Sequence, residues 1–96
     1  MELKKAKKIL KDHEKDLLRL GVRTLALFGS VARNRAHSKS DVDILIDFDS
    51  KRGLFVFMDV KDLLEDLLDC EVDLVTKNAL HPDLKKNILK EAHYVF

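Results

Sequence analysis

The stretch from residue 41 to residue 49 alternates acidic and apolar side chains almost strictly. Successive side chains of a β-strand leave opposite faces, so the pattern predicts a strand with one acidic face and one face in the core. The acidic face would carry Asp41, Asp43, Leu45, Asp47 and Asp49. The apolar face would carry Val42, Ile44, Ile46 and Phe48. Such a strand requires a sheet whose apolar face is covered by other elements.

Helices are predicted both before and after this strand in the sequence. Apolar residues recur at helical spacing over residues 2–20 and 54–68. A last helix is predicted to start at His81-Pro82-Asp83, because proline suits the first turn. His13 lies on the apolar stripe of the first helix, and we expect it to be half buried rather than a partner contact.

Two further strands are predicted at residues 22–28 and 71–76, where short runs of strand-forming residues occur. Residues 30–36 suit one or two helical turns, and the tail 94–96 packs on the sheet or adds an edge strand. We therefore expect an α+β (mixed α/β) fold, with a small mixed sheet of three or four strands backed by helices. The link between the second and third strands is long enough for a helical crossover, which predicts a parallel pair; the pairing of the first strand stays open.

Chain length and net charge restrict the classes of protein to which this sequence can belong. The chain has 96 residues, which suit a single domain over 1–96, and its formal net charge of +1 gives no general attraction to nucleic acid or lipid. No apolar run approaches the roughly 20 residues of a membrane span, so we expect a cytoplasmic protein. The single cysteine, Cys70, is expected to be a packing residue.

Paired carboxylates predict a metal site. Asp41 and Asp43 leave one strand face about 6.6 to 6.8 Å apart at the backbone, and Asp73 on the third strand can join them. Neighbouring carboxylates repel unless a cation neutralises them, and Mg²⁺ prefers oxygen ligands. Three acids can hold two ions, which suits in-line displacement at phosphorus.

An anion site is predicted just before the acidic strand. Gly29 lets the backbone approach a phosphate, Ser30 offers a hydroxyl, and a helix starting there presents free amides. Arg33, one turn later, can add a forked contact to a phosphate. Each feature alone has a plainer interpretation: a simple turn, a surface arginine, or a solvated strand face. Their order along the chain is what favours a nucleotide site.

That order resembles the polymerase-beta-type nucleotidyltransferase superfamily, most of all its minimal nucleotidyltransferase branch. The matching runs are Gly29-Ser30-Val31-Ala32-Arg33, Ser40 to Ile46 and Val72-Asp73-Leu74-Val75. The resemblance spans nearly the whole chain and implies the nucleotidyltransferase fold. Asn34 departs from the pattern, because many relatives have glycine there.

The resemblance also implies roles for individual residues. Gly29, Ser30 and Arg33 would bind the nucleotide, and Asp41, Asp43 and Asp73 would form the catalytic and metal-binding set. Asp73 would also help to deprotonate the acceptor hydroxyl. The implied cofactor is Mg²⁺, as two ions, and the implied substrate is ATP.

The minimal branch resembles the antitoxins of HEPN toxin–antitoxin pairs. We expect AMP transfer from ATP to a tyrosine hydroxyl of a HEPN-type ribonuclease toxin, with a hetero-oligomer between the two proteins. Larger relatives hold their acceptor in an extra domain for which this chain has no room, which favours a protein acceptor. Two alternatives stay open: an antitoxin that neutralises by binding alone, and an adenylyltransferase acting on a small molecule. Direct nucleic-acid binding and membrane association are not expected.

Overall fold

The computed structural model describes residues 2–29 and 42–96 of the chain. The described strands form a four-stranded mixed sheet in the order β3-β2-β1-β4. The strands are β1 (Val22–Phe28), β2 (Val42–Phe48), β3 (Val72–Thr76) and β4 (His93–Tyr94). β1 lies antiparallel to both β2 and β4, whereas β2 and β3 are parallel. The expected parallel pair and α+β class are confirmed, and the open pairing of the first strand is resolved.

The described helices are α1 (Leu3–Asp12), α2 (Glu14–Arg19), α3 (Gly53–Leu68) and α4 (Pro82–Glu91). Helices α1, α2 and α3 pack against the apolar face of the sheet, whereas α4 contributes no buried side chain. The core consists of side chains from α1, α2, α3 and the inner face of the strands, among them Leu10, Leu17, Ile44 and Leu64, all 0% exposed. Short 3₁₀ turns at Ser50–Arg52 and Lys77–Ala79 connect the elements.

The first helical segment is interrupted, and the prediction of one helix over 2–20 is wrong in this respect. His13 lies between α1 and α2 with φ −109° and ψ 17°. Its half-buried Nδ1–H donates to the carbonyl oxygen of Ile9 at 2.9 Å, so the side chain competes with the helical ladder. Periodicity does not reveal the break, because the apolar stripe continues through it.

The second face of the sheet is less uniformly polar than the alternation predicts. Leu45 is 1% exposed although it lies on the same face as Asp43, and its partner Ala26 is also buried. Within the described residues, no helix is both long and apolar enough to cross a membrane.

Candidate active site

Asp43 and Asp73 lie side by side on neighbouring strands. They are Cα partners in the parallel pairing of β2 with β3, so their side chains leave the same face of the sheet. Neighbouring strands are about 4.8 Å apart, which brings the two carboxylates within reach of one cation. Asp43 is half buried and Asp73 is exposed. The two acids therefore form an open anionic pair at one end of the sheet.

Gly29 lies at the same end. Its neighbour Phe28 pairs with Asp43, and the chain then leaves β1 with φ +70° at Gly29. A Cβ added at this glycine would clash with the Asp43 carboxylate, with its carboxyl carbon only 3.0 Å away. Glycine is required twice here, for its backbone conformation and for the absence of a side chain. The glycine of the predicted phosphate-binding group is thus held directly beside a candidate metal ligand.

The remaining acids of β2 have a different environment. Arg23 lies 3.8 Å from carboxylate oxygens of both Asp47 and Asp49, and Arg52 lies 3.7 Å from Asp49. These contacts lie toward the opposite end of the strand from Asp43. Within the described parts of the chain, Asp73 makes no such ion pair. Asp47 and Asp49 thus have arginine partners, whereas Asp73 on the same face is exposed and suited to an external cation.

The donor set fits a hard divalent ion. Asp43 and Asp73 supply only oxygen atoms, which Mg²⁺ prefers to nitrogen or sulfur. Among residues 2–29 and 42–96 there is no cluster of three or more metal-binding side chains. The predicted third ligand, Asp41, lies outside the described residues. The structure thus brings two of the three predicted acids together.

The other predicted nucleotide contacts cannot be placed in the same way. Ser30 and Arg33 lie outside the described residues, and so does the predicted short helix over 30–36. Gly29 is the one member of the predicted nucleotide-binding group that the structure describes, and it lies beside Asp43.

Two residues that received no role from the sequence also border this face. Tyr94 pairs with Ala26, which in turn pairs with Leu45 on β2, so its ring leaves the same face as Asp43. The Lys77 ammonium lies 5.0 Å from the centre of the Tyr94 ring, a cation–π distance. No local pattern predicts this contact, because it joins the 3₁₀ turn after β3 to β4 at the opposite edge of the sheet.

A family model described as a nucleotidyltransferase domain matches residues 3–95. The chain belongs to the nucleotidyltransferase domain family. This nucleotidyltransferase is also similar to the protein adenylyltransferase MntA of Thermococcus cleftensis, with 42% identity over 99% of this chain and 97% of the relative. A protein of Methanocaldococcus jannaschii, likewise named as a protein adenylyltransferase, is 41% identical over 97% of each chain.

Solved structures agree with the family assignment. A minimal nucleotidyltransferase superposes on this chain with a TM-score of 0.85 and 34% identity, covering 97% of this chain and 95% of the other. A toxin–antitoxin structure with AMP-PNP gives a TM-score of 0.71 at 22% identity, covering 90% and 72%. A complex of a tri-AMPylated Shewanella oneidensis HEPN toxin with its MNT antitoxin gives 0.64 at 19% identity, covering 94% and 71%. The last two likenesses concern the fold alone. The nucleotidyltransferase fold and an enzymatic assignment follow, as the sequence predicts.

Proposed function

We propose that this nucleotidyltransferase transfers AMP from ATP to a tyrosine hydroxyl of a HEPN-type toxin and thereby acts as its antitoxin. The observation that carries the proposal is the pairing of Asp43 with Asp73 at the end of the sheet where Gly29 lies against the Asp43 carboxylate. The MntA relative, 42% identical over nearly its whole length, is named a protein adenylyltransferase. An antitoxin of the same fold occurs with an AMPylated HEPN toxin.

In the proposed reaction, the acceptor oxygen attacks the α-phosphorus of ATP, the bond to the bridging oxygen breaks, and pyrophosphate leaves. Asp41, Asp43 and Asp73 would hold Mg²⁺, as two ions, and when bound the metal neutralises charge on the phosphates. Asp73, the exposed member of the described pair, would accept the proton of the attacking hydroxyl.

The nucleotide would lie beside Gly29, at the end of β1. Gly29 admits a phosphate close to the backbone, and Ser30 and Arg33 would add a hydroxyl and a guanidinium contact. We propose that residues 1–96 act as one catalytic domain, with the acceptor supplied by the partner in a hetero-oligomer. The reaction and partner imply the cytoplasm, where ATP is available.

The direct test combines the purified chain with its HEPN-type partner, Mg²⁺ and ATP, followed by mass spectrometry of the partner. The proposal predicts an AMP adduct on a tyrosine and loss of ribonuclease activity. The Asp41→Asn, Asp43→Asn double variant should produce neither. If this variant still neutralises the partner fully and wild type leaves no adduct, the protein acts by binding alone.

The small-molecule alternative predicts a different result. An adenylyltransferase of that kind would consume ATP with an antibiotic or metabolite hydroxyl in the absence of any protein partner. The exposure of Asp73 favours a large acceptor, because a side chain of another protein can reach it from solvent.

A further inference from the structure

We infer that Glu65 is a positioning residue for the active site: its carboxylate fixes the start of β3 and thereby the place of Asp73 beside Asp43. This inference rests on the proposed function, in which Asp73 serves the metal and the acceptor. Glu65 touches neither group itself. It acts through the backbone of the residue that precedes Asp73.

The contact is a hydrogen bond from the backbone N–H of Val72 to Oε2 of Glu65, at 3.0 Å. β3 is an edge strand of the sheet, and a backbone amide on the outer side of such a strand has no neighbouring strand to bond. The half-buried Glu65 carboxylate, on the adjoining helix α3, takes the place of that missing acceptor. The bond thereby attaches the first residue of β3 to the helix that precedes it.

The start of β3 is also held by β2, on the side away from α3. The N–H of Val42, the residue between Asp41 and Asp43, donates to the carbonyl oxygen of Glu71 at 2.9 Å. Glu71 and Val72 are therefore fastened to β2 on one side and to α3 on the other. Asp73 is the next residue, so its register relative to Asp43 along the paired strands depends on both attachments.

The helix dipole gives no reason for an acid at position 65. The last turn of α3 contains no basic residue, and a carboxylate near a helix C-terminus is disfavoured by the helix dipole. The helix itself is anchored by buried side chains on either side of Glu65, those of Leu64 and Leu68. The Glu65 carboxylate is therefore held in place by a well-packed helix. Its hydrogen bond to a backbone amide offsets the unfavourable interaction with the helix dipole.

Two substitutions separate acceptor geometry from charge. Glu65→Gln keeps an oxygen acceptor at the same reach and removes the charge, whereas Glu65→Asp keeps the charge and withdraws the oxygen by one methylene. Asp66→Asn, at the exposed neighbouring position of α3, is the matched control. All variants are first compared with wild type by thermal unfolding, so that only folded protein is assayed.

Two measurements are made on the chain without its partner: hydrogen exchange at the Val72 amide, and Mn²⁺ affinity in the presence of AMP-PNP. We expect slow exchange and near wild-type affinity for Glu65→Gln and Asp66→Asn. For Glu65→Asp we expect fast exchange and a loss of metal affinity of roughly 10-fold to 100-fold, as for other groups that support metal ligands. The same order should appear in the kcat of AMP transfer.

Several outcomes would overturn the inference. It fails if Glu65→Asp binds Mn²⁺ as wild type does. It also fails if Glu65→Gln is impaired as much as Glu65→Asp, because an oxygen acceptor at the same reach would then not be sufficient. A wild-type protein that binds no Mn²⁺ with AMP-PNP would overturn the proposed function as well. The two failures are therefore distinguishable.

Discussion

Gly29 lies against the Asp43 side chain so closely that a Cβ at position 29 would approach the carboxyl carbon to 3.0 Å. This relationship couples Gly29, the residue that follows β1, to the acid on β2. A side chain at residue 29 would displace either its own backbone or the carboxylate, and both belong to the proposed site.

Gly29→Ala should therefore lose both stability and activity. The positive φ of +70° costs a non-glycine residue about 1–3 kcal/mol, and displacement of Asp43 by about 1 Å can lower the rate by roughly 100-fold. Thermal unfolding and AMP transfer measure the two effects. Gly53→Ala is the control: it has φ +87° but nothing within 4 Å of an added Cβ, so stability should fall while transfer is retained. Equal activity losses in the two variants would argue against a specific role for the Gly29–Asp43 contact.

Asp73→Asn and Asp47→Asn should differ sharply, although both positions lie on the same face of the sheet. Removing the proposed base Asp73 should lower kcat by about 100-fold to 10,000-fold. Among the described residues, removing Asp47 breaks its exposed contact with Arg23, worth about 0–1 kcal/mol, and should leave kcat unchanged. Steady-state kinetics with ATP and the partner provide the comparison. An Asp73→Asn enzyme with wild-type kcat would exclude Asp73 as the base.

Helix α3 offers a matched test of the core. Leu64 is 0% exposed, and its replacement by alanine should lower the free energy of unfolding by about 2–5 kcal/mol. Phe55 on the same helix is 83% exposed, so Phe55→Ala should change that free energy by less than about 0.5 kcal/mol. Chemical denaturation of the two variants is the measurement. A large loss for Phe55→Ala would show that its ring is covered in solution.

The Lys77–Tyr94 contact should contribute modestly to stability. With the ammonium 5.0 Å from the ring centre and Tyr94 44% exposed, the coupling is expected to be about 0.5–1 kcal/mol. A double-mutant cycle with Lys77→Met and Tyr94→Leu isolates this interaction from the effect of each side chain alone. Additive effects of the two substitutions would mean that the pair contributes nothing.

Much of the fold follows from short-range pattern. The alternation from residue 41 to residue 49 predicts β2, because period two is visible in the sequence itself. The apolar spacing over 54–68 predicts α3, observed over Gly53–Leu68. The place of each strand in the sheet is harder to predict than the type of each element. That β1 lies between β2 and β4 depends on contacts between distant segments, and apolar pattern does not determine which edges meet.

The candidate site likewise has features that the sequence pattern predicts and features that it does not. Strand periodicity predicts that Asp43 and Asp73 each lie on the polar face of their strand. Their direct pairing also requires β2 and β3 to be neighbours in the correct register. The break at His13 and the Glu65–Val72 bond could not be predicted. Each depends on a side chain bonding to backbone, and no periodic pattern encodes such a bond. Arginine neutralisation of Asp47 and Asp49 likewise becomes visible only once the strands are paired.

The central claim is that the Asp43–Asp73 site transfers AMP from ATP to a partner protein. The most direct measurement is incubation of the chain with its HEPN-type partner, Mg²⁺ and ATP labelled at the α-phosphate, with and without the Asp43→Asn substitution. The account predicts label on a partner tyrosine with wild type, and none with Asp43→Asn or when EDTA is added. Equal labelling by wild type and Asp43→Asn, or no labelling by a wild type that still silences the partner, would contradict it.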